Sequence, residues 1–208
     1  MSVVAIVAAY LLGSVSGALL VGRLRGGIDI RTLGSGNAGG TNALRTQGIG
    51  FALAVVVIDL GKGWIAAALL PLAAARFGAV PAGLPAACAF AAMVGHVWPV
   101  WHGFRGGKGA ATLVGALLAL SPLALGVVLG VWLATVAILG FVGLASMLAA
   151  AALPLVVWFA HIGPRGPMLA FGVAAALLVV VTHRANIARM RAGTEPRARR
   201  LWLFGRRP

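Results

Sequence analysis

Acidic residues are almost missing: Asp29, Asp59 and Glu195 are the only carboxylates in 208 residues, against 17 Lys and Arg and a formal net charge of +14. Three dispersed acids exclude the paired carboxylates of glycoside hydrolysis and an all-oxygen cation cage. Cysteine is as scarce. Cys88 stands alone, so there is no disulfide framework and no Cys-rich metal site; neither metal nor cofactor is expected. It lies in the apolar run 85–94 and reads as a small buried hydrophobe. Charged residues make up only 10% of the chain, where a soluble domain carries about a quarter. What replaces them is apolar: 61% of the residues, with a mean hydropathy of +1.02. A nucleic-acid binder spreads Lys and Arg over a polar face. Here they sit in short gaps between apolar runs and in one C-terminal tail, so membrane lipid rather than nucleic acid is the expected partner.

The first apolar run, 3–22, holds 20 residues without a charge, about the length that crosses a bilayer core. Met1 and Ser2 offer no positive start, and Arg23 and Arg25 follow the run. That is the reverse of a cleaved signal peptide, so an uncleaved span with its N-terminus outside is expected. After a polar, Gly-rich segment at 23–48 come the apolar runs 50–75, 79–95, 109–120, 123–140, 141–160 and 168–182. Pro81, Pro85, Pro99, Pro122, Pro164 and Pro167 punctuate the junctions. The pattern predicts an all-α integral membrane protein of about seven transmembrane helices, some short or broken. Run 79–95 contains two prolines, and 109–120 has 12 residues, roughly half of the ~20 that cross squarely. A five-span chain with that region re-entrant is the alternative. Irregular backbone at membrane depth is tolerated only where it lines protein or a cavity, so 95–109 is expected to border a site.

With seven spans, Arg23, Arg25, Arg31, Arg45, Arg105, Lys108 and eight arginines from Arg184 onward fall inside, and only Arg76 and Arg165 outside. This positive-inside bias makes the C-terminus and every polar motif cytoplasmic. The chain reads as one transmembrane domain, 1–208, with a basic cytoplasmic tail at 184–208. Arg197, Arg199, Arg200, Arg206 and Arg207 are expected to meet anionic lipid. No internal repeat stands out, whereas many transporters are built from repeated halves.

Three polar clusters carry the candidate chemistry. In the first, Gly34, Gly36, Gly39 and Gly40 surround Ser35, Asn37, Ala38, Thr41, Asn42 and Arg45. Such glycines let consecutive N–H groups form an anion-binding concavity. Thr41 is placed to cap a helix, and Arg45 lies one turn later on the same face. A phosphate at that helix start would meet N–H donors, dipole and guanidinium together. A flexible cytoplasmic loop explains the spacing too, and neither a Walker loop nor a dinucleotide fingerprint is present. In the second cluster, Gly106-Gly107-Lys108-Gly109 opens an apolar helix, again a phosphate cradle with one mobile ammonium. Trp98 and Trp101 read as interface anchors, and His96 and His102 as structural or interfacial, since no acid or metal spacing accompanies them. In the third, His183 and Asn186 share a helix face at i,i+3 if the last span continues.

Two features lie within spans. Asp59 and Lys62 are i,i+3, and each would cost about 3 kcal/mol to insert alone, so mutual pairing is expected. Ser146 is the lone hydroxyl of its run, with helix packing as its default role.

The ordered set GSGNAGGTNALRTQG, DLGKG, GHVWPVWHGFRGGKGAAT, HRANIAR and GTEPR resembles the acyl-phosphate-dependent glycerol-3-phosphate acyltransferases of bacteria, from about residue 14 to 197. The resemblance implies a seven-helix inner-membrane enzyme with a cytoplasmic site. It would transfer a fatty acyl group from acyl phosphate to the 1-hydroxyl of glycerol 3-phosphate, giving lysophosphatidic acid and phosphate. By position it implies Ser35, Lys108, His183 and Asn186 as catalytic, and Gly34, Gly36, Asn37, Thr41, Asn42, Arg45, Gly106, Gly107 and Ser146 as substrate-binding. The family more often has Ile or Val at Ala38, Ala at Gly40, Glu at Ala185 and Ser at Gly143, so a third-motif acid at Ala185 is missing here.

An acyl phosphate is already activated and needs neither a cysteine nucleophile nor a metal. No histidine has an acid at the offset used by the soluble-type glycerolipid acyltransferases, and the aspartates of CDP-alcohol phosphotransferases are absent. Direct attack by the glycerol hydroxyl, with a substrate phosphate taking the proton, is the expected route. A small channel or transporter for phosphorylated metabolites is the rival. Oligomeric state is open, a monomer being sufficient.

Overall fold

A computed structural model describes residues 1–198 and 201–204; Arg199, Arg200, Arg206 and Arg207 lie outside the described residues. Within them the chain is helical, without strands: α1 Ser2–Gly13, α2 Gly17–Leu24, α3 Gly40–Gln47, α4 Ile49–Ala75, α5 Leu84–Val97, α6 Ala110–Leu120, α7 Pro122–Leu139, α8 Val142–Phe159, α9 Arg165–Thr182 and α10 Arg184–Arg191. Five segments are long and apolar enough to cross a membrane: α4, Leu84–His102 (α5 with its 3₁₀ extension), α7, α8 and α9. The α1–α2 pair makes a sixth if taken as one span bent by 48°. As its length predicts, α6 is a short apolar helix of 11 residues.

Two departures from the sequence reading have physical causes. Run 3–22 is a broken helix. Its backbone opens between Gly13 and Gly17, and the freed groups find buried charge: Lys62 Nζ donates to the Val15 carbonyl at 2.8 Å, and Asp59 Oδ1 accepts the Gly17 N–H at 3.2 Å. A helix break at membrane depth requires such internal partners. Run 79–95, by contrast, is unbroken where it is helical, because α5 starts only at Leu84 and places Pro85 in its first turn, where the ring is tolerated.

The chain divides into two compact units, Met1–Leu120 and the residues from Ser121 onward. In the first, α4 is the hub, touching α1, α2, α3, α5 and α6, while α1 packs on α5. Gly63 and Gly115 set the α4–α6 approach: a Cβ on either would run into the Thr112 or Leu60 backbone of the other helix, the small-residue packing of membrane helices. Ile30, Ala38, Ala43, Phe51 and Val55 form a core that fastens the first Gly-rich loop to α4. Cys88 is fully buried in a neighbouring cluster.

In the second unit α7 packs on α8, α8 on α9, and α10 on both α8 and α9. The boundaries of α7 follow its sequence: Ser121 Oγ accepts the Ala124 N–H at 3.2 Å, Pro122 is in the first turn, and Gly140 closes the helix in the left-handed region at φ 79°. The chain after α10 returns to this turn. The Ala198 N–H bonds the Gly140 carbonyl at 2.8 Å and the Leu203 N–H the Ala137 carbonyl at 2.9 Å. Arg197 stacks on the Trp202 and Phe141 rings, 4.1 and 4.8 Å from their centroids, so its described contacts are aromatic.

Candidate active site

The first Gly-rich loop is built around one amide. Asn42 is 2% exposed; its Nδ2 donates to the carbonyls of Ile30, Leu33 and Asn37 at 3.2, 2.9 and 3.1 Å. Its Oδ1 accepts the Ser35 N–H at 3.0 Å. Gly34, at φ 56°, passes so close to Asn42 Oδ1 that a Cβ has no room. The side chain expected at a substrate phosphate therefore holds the loop instead. Its removal deletes four hydrogen bonds that tie residues 30–37 to α3, so Asn42→Ala is expected to lose roughly 2–3 kcal/mol of stability, read as a lower melting temperature in detergent. Unchanged melting with weakened substrate affinity alone would contradict this role.

Thr41 does not cap the helix. The N-cap of α3 is Gly39, in extended backbone and without a side-chain cap bond; Thr41 falls in the first turn because the helix starts at Gly40. Thr41 and Arg45 are both exposed, one turn apart. Ser35, Gly34 and Gly36 are exposed, and Asn37 is half-buried with its amide folded over Gly39. The first-turn N–H groups of α3 have no intrahelical acceptor, leaving anion-binding capacity at the helix start beside Arg45.

The second loop lies against the first. The Gly106 and Gly107 N–H groups donate to the Val97 and His96 carbonyls at 3.1 and 3.0 Å. They are spent on the end of α5, so this pair shapes the loop and does not cradle an anion through its own amides. Gly107 faces the Ala38 carbonyl of the first loop, which brings half-buried Lys108 next to that loop.

Arg31, unremarked in the sequence beyond its sign, ties the two loops together. Its Nη1 donates to the His102 and Arg105 carbonyls at 2.9 and 3.1 Å, and its Nη2 pairs with Asp29 Oδ2 at 2.8 Å. Hydrogen bonding to Arg31 holds the Asp29 carboxyl below the usual carboxylate range. A depressed folded value stabilises above the unfolded value and is lost as pH falls through the folded one. Protection of residues 29–36 against hydrogen exchange, relative to the intrinsic rate at each pH, is thus expected to stay constant from pH 8 to 5 and to fall only below about pH 4. Loss of protection near pH 6 would contradict the tie.

In the second unit, His183 sits between α9 and α10 and is 4% exposed. Its Nδ1 lies 2.7 Å from the Val179 carbonyl. A carbonyl only accepts, so Nδ1 carries a proton and donates it to this bond, which fixes the ring's direction. Asn186, 7% exposed, donates through Nδ2 to Glu195 Oε1 at 2.6 Å. The other oxygen, Glu195 Oε2, takes the Arg189 Nε–H at 2.6 Å. Glu195, named in sequence as one of three acids and within GTEPR but given no role there, holds the Asn186 amide. Ser146 donates to the Val142 carbonyl at 3.0 Å and accepts from Trp132 Nε1 at 3.3 Å, helix-packing contacts.

The glycerol-3-phosphate acyltransferase family model matches residues 3–193. The chain belongs to the glycerol-3-phosphate acyltransferase family. Glycerol-3-phosphate acyltransferase of Chlorobaculum tepidum is 40% identical over 230 residues, covering 97% of each chain. That of Synechococcus sp. (strain JA-3-3Ab) is 44% identical over 194 residues, covering 93% of this chain and 91% of the relative. The crystal structure of PlsY (YgiH), an integral membrane glycerol 3-phosphate acyltransferase, in its glycerol 3-phosphate form superposes with a TM-score of 0.84 at 32% identity, covering 94% of both chains. The lysophosphatidic acid form gives 0.82. The acyltransferase family thus accounts for a helical membrane chain whose polar loops are rich in glycine, serine and asparagine and poor in acid.

Proposed function

We propose that the protein transfers a fatty acyl group from acyl phosphate to the 1-hydroxyl of glycerol 3-phosphate, releasing lysophosphatidic acid and inorganic phosphate. The observation that carries the reading is the family match over residues 3–193, joined to a PlsY glycerol 3-phosphate form of TM-score 0.84. Two phosphorylated substrates suit a chain with three acids and a +14 charge.

Residues of both units have roles in this reading. In the first, Arg45, the α3 first turn, Ser35, Asn37 and Thr41 bind phosphate oxygens, and Lys108 neutralises the phosphate that leaves. Asn42, Gly34, Gly36, Gly106 and Gly107 give the loops their shape. In the second, His183 Nε2 accepts the hydrogen bond of the attacking hydroxyl, with Asn186 steadied by Glu195 beside it. Attack forms a carbon–oxygen bond at the acyl carbonyl, and collapse breaks the bond from that carbon to the phosphate oxygen. The hydroxyl proton ends on the departing phosphate. No acyl-enzyme and no metal takes part. The protein works in the bacterial inner (cytoplasmic) membrane, N-terminus outside, with its loops on the cytoplasmic side where the basic residues gather.

The donor is tested with purified protein, labelled glycerol 3-phosphate, and either palmitoyl phosphate or palmitoyl-CoA. Labelled lysophosphatidic acid is expected from the acyl phosphate and not from the thioester. Product from the thioester alone would overturn the donor.

A further inference from the structure

We infer that Asp59, Lys62 and His96 form a buried positioning unit that sets the Gly106–Lys108 loop for glycerol 3-phosphate, an inference that rests on the substrate reading above. The three residues are 1%, 3% and 3% exposed. Lys62 Nζ lies 2.9 Å from Asp59 Oδ1 and 2.8 Å from His96 Nδ1, and His96 Nδ1 is 3.5 Å from Asp59 Oδ1. The Asp59–Lys62 pair alone answers the helix break between α1 and α2, and that task needs no histidine.

The third member carries the contact to the loops. An ammonium offers only hydrogens, so His96 Nδ1 accepts from Lys62 and the imidazole proton sits on Nε2. That far edge of the ring faces the second motif. A Cβ on Gly107 would fall on His96 Nε2 and come within 2.7 Å of the Ala38 carbonyl. The same residue's carbonyl accepts the Gly107 N–H at 3.0 Å, and the next carbonyl, of Val97, accepts that of Gly106 at 3.1 Å. Ring and backbone of His96 therefore grip both sides of the step before Lys108, and Gly107 between them meets the first loop at the Ala38 carbonyl. What stops the ring from turning is Lys62, itself fixed by Asp59 and by the Val15 carbonyl at 2.8 Å. A buried ion pair that locks a histidine against the second loop, which in turn meets the first, is a positioning device, because a small misplacement far from the reacting atoms costs rate and affinity heavily.

The test uses the full-length purified protein, with calorimetric binding of glycerol 3-phosphate as a donor-independent readout beside steady-state kinetics. His96→Asn keeps an acceptor near the Nδ1 position for Lys62 and removes the ring edge. Its Kd and KM for glycerol 3-phosphate are expected to rise about 10- to 100-fold, through the contact of Gly107 with the first loop, with kcat falling as well because the same loop carries Lys108. Gly107→Ala, which drives a methyl into the same contact, is expected to do likewise, and His96→Ala/Gly107→Ala to be no worse than the poorer single variant, as shared contacts are non-additive. A merely structural cluster would lower the melting temperature and leave Kd unchanged, and that result overturns the inference, as does multiplication of the two losses in the double variant. Should His96→Asn fail to fold, Gly107→Ala and the double variant decide by the same criterion. If the parent protein binds no glycerol 3-phosphate, the substrate reading itself fails.

Discussion

His183→Ala is expected to lower kcat by about 10²- to 10⁴-fold, the usual contribution of a positioned acid–base group, with little change in the KM of either substrate. The expectation follows from one bond. Because Nδ1 donates to the Val179 carbonyl at 2.7 Å, the ring is fixed in direction at the junction of α9 and α10, and in the proposed reaction its other nitrogen accepts from the hydroxyl. His183→Asn separates the two halves of this argument: an amide can restore the bond to Val179 but not an acceptor at the Nε2 position, so it should remain as inactive as alanine. Initial rates with purified protein at saturating substrates read both. A His183→Ala enzyme within tenfold of the parent kcat would remove the histidine from the reaction.

Lys108→Ala is expected to cost about 10²- to 10³-fold in kcat, the scale on which preorganised electrostatic stabilisation of a developing charge is lost. In the proposed transfer that charge is on the phosphate as it leaves the acyl carbon, so the ground-state affinity for glycerol 3-phosphate should fall far less. The loop before Lys108 is held at Gly106 and Gly107 by the carbonyls of Val97 and His96, and the ammonium is the one cation of the GGKG sequence. Lys108→Arg retains charge with a broader, forked head, and is expected to recover part of the loss. An equal loss in Lys108→Arg and Lys108→Ala would show that shape, not charge, is what this position supplies. Arg45→Ala, in contrast, should act on KM, since Arg45 stands exposed on α3 where it can add affinity before and during reaction alike.

Much of the architecture was readable because apolar run length and helix punctuation are local signals. The α7 boundaries at Ser121 and Gly140 and the shortness of α6 follow from residues within a turn of each end. The charged pair in α4 was equally readable, since i,i+3 spacing and the cost of an unpaired charge in lipid both point to it. What sequence missed is long-range. The break between α1 and α2 depends on Lys62 and Asp59, more than forty positions away, and a 20-residue apolar run carries no mark of it.

The motifs stand out in sequence, but what each of their side chains bonds to does not. Asn42 and Thr41 have similar polar side chains in a Gly-rich loop, and only the fold decides that the amide holds the loop while the hydroxyl stays exposed. Likewise Gly106 and Gly107 look like amide donors in sequence until the end of α5 claims their N–H groups. Arg31 and His96 read as one more positive charge and one more core histidine. Their roles lie in partners 71 and 34 residues away.

The central claim is direct transfer between two phosphorylated substrates, and single-turnover phosphate release tests it. Enzyme in excess is mixed with palmitoyl phosphate, first without and then with glycerol 3-phosphate, and phosphate, lysophosphatidic acid and intact protein mass are followed together. The account predicts no phosphate burst and no acylated protein until glycerol 3-phosphate is added, then one phosphate for each lysophosphatidic acid. A burst equal to the enzyme concentration before that addition, with the protein gaining the mass of one acyl group, would contradict it.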